Sequence, residues 1–341
     1  MKIIRKILVL TIVVCMAVLL SGCGGEGNDA SSTVSTSSTE KVKINIAALK
    51  GPTGIGMARL MEQAENGETA NDYNFTVAGA PDDITAKLIN GEYDIAAVPT
   101  NNAAMLYNKT NGDIKMLALN TKGVLYMLDS TDSIKSVADL KGKKIYATGK
   151  GSTPEYVLNY VLSQNGIDPD RDVEIEYLSE HAELVTYIAA GTAQIAMLPE
   201  PNVTTVLSSN ENVKIALNMT EEWDKISEKE SDSSILTMGC VAVRKEFLEK
   251  NKGAVDSFLT EYQASINYTS EHLDETAQLC EKYGIIPKAA VAKKAIPNCN
   301  IFFASGVDMK NYTDNFFKVL YSYNPASVGG KLPDDDIYYV K

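Results

Sequence analysis

The sequence predicts an α/β protein of two lobes, each a mostly parallel sheet covered by helices, with two crossing strands as a hinge. Three observations predict this fold: the length, a unit of strands and helices that occurs twice, and short apolar strands without polar alternation. A chain of 341 residues usually forms more than one domain, and 45% hydrophobic with 22% charged residues is ordinary globular composition. Apolar strands of this kind are typical of parallel strands buried on both faces.

The repeated unit has a spacing of 100 residues. Its first copy starts with the strand 43–48 and its second with the strand 143–148. Each strand is followed by a Gly-containing loop, a helix, a strand, a second helix and a last apolar strand, which is the order of a βαβαβ lobe. Identities at this spacing fall at the element boundaries: Lys50/Lys150, Gly51/Gly151, Thr53/Thr153, Gly91/Gly191, Ile95/Ile195, Ala96/Ala196 and Pro99/Pro199.

The rest of the chain has no counterpart in the repeat. A strand over Leu236–Val243 is followed by several helical segments, which we expect to complete the first lobe. Lobe 1 is therefore predicted to comprise residues 43–125 and 240–341, and lobe 2 residues 126–239. The chain would cross between them near Val124–Leu128 and Gly239–Val241, and two crossing strands make a natural hinge.

The N-terminus has the pattern of a lipoprotein signal peptide, predicted for residues 1–22. Basic residues precede the apolar run Ile7–Leu20, and Leu20-Ser21-Gly22-Cys23 resembles a bacterial lipobox. Cys23 would then carry acyl chains that anchor the protein outside the cell membrane, on its outer or periplasmic face. Residues 23–42 are predicted to be a flexible linker, because 11 of the 16 residues 24–39 are Gly, Ser or Thr. The alternative is a plain signal peptide with an incidental cysteine.

Composition also limits the chemistry. The 32 basic and 44 acidic residues give a net charge of −12, which argues against nucleic acid as a partner. With two His and five Cys, no metal site, cofactor or catalytic residue is predicted. Whether Cys280 and Cys299 form a disulfide is left open by the sequence. We expect a monomeric binding protein rather than an enzyme.

Four segments resemble a known family in the order in which they occur. These are Ser136–Ile145, Gly151-Ser152-Thr153-Pro154, Pro199-Glu200-Pro201 and Val241–Leu248. With the lipobox, they are similar to substrate-binding lipoproteins of ABC importers, in the SsuA/THI5-like (NMT1-like) group. The resemblance implies a type II periplasmic-binding-protein fold, a small-molecule ligand held between the lobes, and an ABC permease and ATPase as partners.

The candidate ligand site is placed by the fold. In open α/β sheets ligands bind beyond the carboxyl ends of the strands, and helix N-termini there present free N–H groups. The predicted ligand-binding residues are Gly51, Thr53, Gly54, Thr100, Asn101 and Asn120 from lobe 1, and Gly151, Ser152, Thr153 and Glu200 from lobe 2. The alternative for each hydroxyl is that it only caps its helix.

The ligand class is narrowed but not fixed. None of the three arginines beyond the signal peptide falls in a predicted cleft loop, and the only tryptophan is Trp223, which disfavours a large carboxylate or an oligosaccharide. Two candidate ligand classes are left. One is a sulfonate- or nitrate-type oxyanion bound near Lys50 or Lys150, and the other is a thiamine-pyrimidine-like heterocycle stacked on Tyr126 or Tyr156. The alternatives to a transport receptor are a surface lipoprotein that acts as a sensor and a pyrimidine synthase on the same fold.

Overall fold

The computed structural model describes residues 41–229 and 234–341, which fold into two mixed sheets covered by helices. The predicted signal peptide, Cys23 and nearly all of the predicted linker lie outside the described residues. The strands are β1 (Lys43–Leu49), β2 (Asp72–Ala78), β3 (Ile95–Val98), β4 (Ile114–Lys122), β5 (Leu125–Asp129), β6 (Lys144–Thr148), β7 (Glu174–Leu178), β8 (Ile195–Pro199), β9 (Lys214–Asn218), β10 (Thr237–Arg244) and β11 (Ile301–Ser305).

The helices follow the strands in alternation through the repeated part and dominate the last hundred residues. They are α1 (Pro52–Ile55), α2 (Ala58–Glu65), α3 (Pro81–Ile89), α4 (Thr100–Lys109), α5 (Thr153–Gln164), α6 (His181–Ala189), α7 (Asn202–Ser209), α8 (Met219–Ser227), α9 (Lys245–Lys250), α10 (Lys252–Glu271), α11 (Leu273–Lys282), α12 (Ala289–Ala295) and α13 (Gly306–Tyr323). Short 3₁₀ turns occur at Val137–Leu140, Ile296–Asn298, Pro325–Val328 and Asp335–Ile337.

The first sheet has the strand order β11-β4-β10-β3-β1-β2, and the second has the order β7-β6-β8-β5-β9. In the first, β1 is parallel to β2 and β3, while β10 runs antiparallel between β3 and β4. In the second, β6 is parallel to β7 and β8, and β5 is antiparallel to β8 and β9. This architecture confirms the predicted α/β fold class of two sheets covered by helices. The sheets are mixed rather than mostly parallel, because β10 and β5 each pair antiparallel with both of their neighbours.

The repeat is visible in the structure. Helices α3 and α6 begin and end 100 residues apart, and each is followed by a glycine in the left-handed region, Gly91 at φ 81° and Gly191 at φ 73°. A residue with a Cβ would be strained at these positions, so glycine allows the chain to leave the helix and enter the next strand. The glycines that mark the repeat therefore mark real helix ends.

The crossings between the sheets lie earlier than the sequence suggested. The outward crossing occupies Gly123 and Val124, between β4 and β5. Strand β10 lies wholly in the first sheet, so the return precedes Thr237 and Gly239–Val241 is not a crossing. A Cβ on Gly239 would lie 2.4 Å from the Asn120 side-chain oxygen. This glycine therefore permits a close strand approach rather than a hinge bend.

The apolar core is shared between the two sheets on one side. Trp223 of α8 is 1% exposed, and its ring lies 4.5 Å from that of Tyr160 in α5 and 5.8 Å from that of Phe316 in α13. Helix α13 follows β11 of the first sheet, whereas α5 and α8 flank strands of the second. One buried cluster thus joins elements that flank both sheets. Within residues 41–229 and 234–341 no helix has both the length and the apolar character needed to span a membrane.

Candidate ligand-binding site

The predicted site residues follow strands of both sheets at the edge where the parallel strands end. Gly51 follows β1, Thr100 follows β3, and Asn120 lies near the end of β4. In the second sheet Gly151 follows β6 and Glu200 follows β8. Carboxyl ends of parallel strands meet at one edge of a sheet, so each sheet presents its own set of loops there.

Three of the predicted residues of lobe 1 belong to one buried hydrogen-bond network. The Asn120 side-chain amide donates to the Thr53 carbonyl (3.3 Å), and the Thr121 hydroxyl donates to Asn120 Oδ1 (2.9 Å). The Thr237 hydroxyl donates to the Thr121 carbonyl (3.2 Å) and lies 3.0 Å from the Thr100 hydroxyl. Thr100 and Asn120 are each 1% exposed. Their polar groups are thus bound by the protein, as buried polar groups generally are.

The glycines of the first loop have different roles. Gly51 has φ 85° and its N–H donates to the Ile285 carbonyl (2.8 Å), which ties the loop to the segment after α11. A Cβ on Gly54 would lie 2.1 Å from the Leu49 carbonyl oxygen, a distance at which atoms overlap. Gly54 is therefore required for the loop to pass close to the end of β1.

The second-sheet loop is more exposed than the first. Gly151 has φ 76° and its N–H donates to Glu155 Oε2 (2.6 Å). The Ser152 hydroxyl donates to the Gly149 carbonyl (2.6 Å) and makes no cap hydrogen bond to α5. Thr153 is the first residue of α5 and is 6% exposed. Gly151 and Ser152 therefore place their backbone and hydroxyl groups at an accessible helix start.

Glu200 is 2% exposed and is held between two elements. Its carboxylate accepts from the Thr204 N–H and hydroxyl (both 3.0 Å), near the start of α7, and from the Asn298 side-chain amide (3.2 Å). Burial raises the pKa of Glu200 above its ordinary value, while these hydrogen bonds act in the opposite direction. The carboxylate thus links α7 to the 3₁₀ turn that follows α12.

The two tyrosines considered for stacking are buried and have protein partners. The Tyr126 hydroxyl donates to the Asn298 carbonyl (2.7 Å), and Tyr126 is 4% exposed. The Tyr156 hydroxyl accepts from the Asn324 amide (2.8 Å), and its ring stacks on that of Tyr323 with centroids 6.5 Å apart. Both rings therefore contribute to packing between elements of the two sheets.

The arginines of the described part of the chain are paired with carboxylates. Arg59 pairs with Glu62 and also lies over the ring of Tyr268. Arg171 pairs with Asp168 (3.6 Å), and Arg244 with Asp94 (3.0 Å) and Glu246 (3.3 Å). This leaves the exposed Lys50 and Lys150 as the basic residues in the predicted loops.

One polar pair at the edge of the second sheet was not predicted as part of the site. Thr148 ends β6 and is 1% exposed, and its hydroxyl lies 2.8 Å from His181 Nδ1 at the start of α6. Desolvation lowers the pKa of His181, although part of the side chain is exposed, and Glu180 opposes the shift. In the sequence, the position of Thr148 at the end of a strand was the available signal for this pair. The histidine partner could not be inferred in the same way, because it lies 33 residues away in the chain.

The cysteines and acidic residues of the described part form no site of their own. Cys240, Cys280 and Cys299 are buried free thiols, so Cys280 and Cys299 are not bridged in this structure. Burial raises the pKa of Cys280 to about 12, which disfavours a reactive thiolate. Within residues 41–229 and 234–341 there is no group of three or more His, Cys, Asp or Glu side chains that could hold a metal ion.

Two surface depressions lie away from the predicted loops. One is lined by residues around Leu259, Phe303 and Tyr339, and the other by residues around Ile89, Ile114 and Arg244. The second lies at the opposite edge of the first sheet, because Ile114 begins β4 and Arg244 ends β10.

Comparison with known sequences places the chain in a family. Residues 68–287, more than half of the chain, match the profile of the phosphonate-type periplasmic substrate-binding proteins of ABC transporters, and the chain belongs to this family. A binding protein of Bacillus subtilis, YtlA, is 36% identical over 62 residues, or 19% of its length. Binding proteins of Brucella species are 22% identical over 190 residues. The match spans 56% of the chain and 56% of the Brucella proteins.

Solved structures share the fold over most of the chain. An ABC transporter protein of Parabacteroides distasonis has a TM-score of 0.73 at 26% identity, covering 89% of this chain and all of that one. The periplasmic aliphatic sulphonate-binding protein SsuA of Escherichia coli has a TM-score of 0.69 at 18% identity, covering 87% and 96%. The alkanesulfonate-binding protein SsuA of Xanthomonas axonopodis, bound to MOPS, has a TM-score of 0.60 at 17% identity, covering 86% and 96%. These likenesses confirm the predicted periplasmic-binding-protein fold, and the match over residues 68–287 confirms that the chain is of the ABC-transporter substrate-binding type.

Proposed function

We propose that this member of the phosphonate-type family is an extracytoplasmic solute-binding lipoprotein of an ABC importer. It captures a small molecule between its two sheets by hinge closure and delivers it to a membrane permease and its ATPase. The observation that carries the proposal is the family match over residues 68–287. The geometry supports it, because both sheets present glycine- and hydroxyl-containing loops at the ends of their parallel strands.

The predicted site residues divide into two groups by their contacts. Thr100, Asn120 and Glu200 are nearly fully buried and bound to protein groups, and Gly54 has no room for a side chain. We assign these four to support of the loops. The ligand contacts are assigned to the remaining six residues. Four of these are at least partly exposed, namely Thr53, Asn101, Gly151 and Ser152. The other two, Gly51 and Thr153, stand at the start of a loop and of a helix.

The contacts favour a small oxyanion as ligand over a flat heterocycle. Tyr126 and Tyr156, the rings available for stacking, are each 4% exposed and engaged with the protein. Hydroxyls, helix N–H groups and the exposed Lys50 and Lys150 suit a phosphonate- or sulfonate-type group. Two of the solved neighbours are sulfonate-binding proteins by name, which agrees with this choice.

The anchor and the location form a separate part of the proposal. Lipidation at Cys23 would hold the protein on the outer face of the cytoplasmic membrane or on the periplasmic side. The predicted linker would then set the distance between the folded part and the permease. Membrane fractionation of cells that express the full chain tests it. The wild-type protein is expected with the membranes and Cys23→Ser in the soluble or unprocessed fraction, whereas equal distribution of the two would contradict lipidation.

The ligand is tested by native mass spectrometry of the purified protein, followed by calorimetry with methylphosphonate, ethanesulfonate, nitrate and a pyrimidine. Ser152→Ala should weaken binding of the ligand about fivefold, because it removes one hydroxyl contact. Ser270→Ala is the matched control, since its exposed hydroxyl also donates to a carbonyl three residues earlier, that of Asn267. No bound molecule and no binding from the panel would contradict the proposal, as would equal affinities of the two variants.

A further inference from the structure

A third segment joins the two sheets besides the two main-chain crossings. It lies between α12 and β11 and comprises Asn298, Cys299 and Asn300. Asn300 adopts φ 48°, and the strand that follows it pairs with β4, the strand from which the outward crossing leaves. The segment therefore runs beside the hinge.

Its contacts reach the crossing itself. The Lys122 N–H donates to the Asn300 carbonyl (3.1 Å), and the Asn300 side-chain amide donates to the Gly123 carbonyl (2.6 Å). On the side away from this segment, the crossing packs directly against Thr220 and Leu236. A Cβ on Gly123 would lie 2.2 Å from the Thr220 hydroxyl and 2.6 Å from the Leu236 side chain, so the crossing cannot move in that direction. The crossing is thus enclosed by the segment, by α8 and by the returning chain.

The contacts then continue into the second sheet. The Asn298 carbonyl accepts from the Tyr126 hydroxyl at the start of β5, and the Asn298 amide donates to the Glu200 carboxylate after β8. Glu200 also donates its N–H to the Val124 carbonyl (3.0 Å) of the crossing. Asn298 therefore binds two neighbouring strand ends of the second sheet while the adjacent chain is bound to the first.

We propose that Asn298–Asn300 form a brace that fixes the orientation of the two sheets seen in this structure. Rotation about the crossings away from this orientation breaks the two hydrogen bonds of Asn298, one of which is made to a buried carboxylate. The brace gives Glu200 and Tyr126 a shared role in setting the hinge instead of contacting the ligand. It acts without a ligand, so it can be tested independently of the proposed function.

The test measures the distance between the sheets by electron spin resonance. Spin labels are attached at Ala86→Cys in α3 and Ala182→Cys in α6, two exposed positions on helices that flank the two sheets. The chain used begins at Gly24, so its three native cysteines are the buried ones. Without added ligand, the protein is expected to show one narrow distance distribution.

Asn298→Ala removes the amide that binds Glu200, and loss of a hydrogen bond to a charged group should shift the equilibrium by about tenfold toward other orientations. A second, broader distance is therefore expected. Asn212→Ala, at an exposed asparagine in the turn after α7, is the control and should leave the distribution narrow. If Asn298→Ala and the control both give the wild-type distribution, the brace is refuted.

Tyr126→Phe decides the question if Asn298→Ala does not fold. It removes only the hydroxyl that donates to the Asn298 carbonyl and keeps the ring in place. A broadened distribution supports the brace, and an unchanged one contradicts it. Thermal unfolding followed by circular dichroism separates a change in orientation from loss of the fold.

Discussion

The buried network of hydroxyls at the first sheet makes a quantitative prediction about Thr237 of β10 and Thr100 of α4. Thr237→Val keeps the shape of a fully buried side chain but removes its donation to the Thr121 carbonyl and its contact with the Thr100 hydroxyl. Each buried group left without a partner costs about 1–3 kcal/mol, so the loss of two partners should cost about 2–6 kcal/mol in total. Thr100→Val removes one contact and leaves the other bond of Thr237 intact, so it should cost about 1 kcal/mol.

Urea unfolding of the chain from Gly24 measures both values, and the double variant measures their coupling. We expect a coupling energy of about 1 kcal/mol, because the two hydroxyls share one contact. Thr192→Val, at an exposed threonine, is the control and should change the free energy of unfolding by less than about 0.5 kcal/mol. If Thr237→Val costs no more than Thr100→Val, or if their effects add without coupling, the network is not present in solution.

Three further predictions concern packing, pH and thiols. Gly54→Ala should lower the free energy of unfolding by about 3 kcal/mol or more, because its Cβ would overlap the Leu49 carbonyl oxygen. Gly253→Ala, in open space on α10, is the control and should raise the free energy of unfolding by about 0.5–1 kcal/mol. If urea unfolding shows no effect of Gly54→Ala, the close packing at Gly54 is contradicted. Because the pKa of Glu200 is raised in the folded state, the folded chain holds the proton of this side chain to a higher pH than the unfolded chain does. The free energy of unfolding should therefore fall as the pH rises from about 4.5 through the folded pKa, and Glu200→Gln should remove this part of the pH dependence. Equal pH dependence of the two proteins would contradict the raised pKa. In the chain from Gly24, a thiol reagent should label no cysteine before unfolding and three afterwards, and fast labelling of the native protein would contradict their burial.

Much of the fold could be predicted because its signals are local. Gly91 and Gly191 end helices in both copies of the repeat, and they did so at the predicted spacing. The first and last apolar strands of each repeat pair in parallel as expected, β1 with β3 and β6 with β8, because strands buried on both faces need apolar side chains on both faces. The predicted position of the return crossing is wrong because a glycine in a strand can permit either a bend or a close approach of another chain segment. At Gly239 it permits the close approach of the Asn120 side chain.

The roles of the candidate site residues could not be predicted in the same way. Their position at strand ends follows from the repeat, but their hydrogen-bond partners are distant in sequence. Thr100 contacts Thr237, 137 residues away, and Glu200 contacts Asn298, 98 residues away. A hydroxyl or carboxylate at a strand end has the same appearance in the sequence whether it faces a ligand or a buried partner. Only the tertiary contacts distinguish the two.

The proposed function requires that one ligand is held by loops of both sheets at once. Hydrogen–deuterium exchange, with and without the ligand identified by native mass spectrometry, tests it most directly. The ligand is expected to slow exchange in the loops at 51–54 and 151–153 together. Slower exchange in only one of these loops, or only around the depression near Ile114 and Arg244, would contradict it.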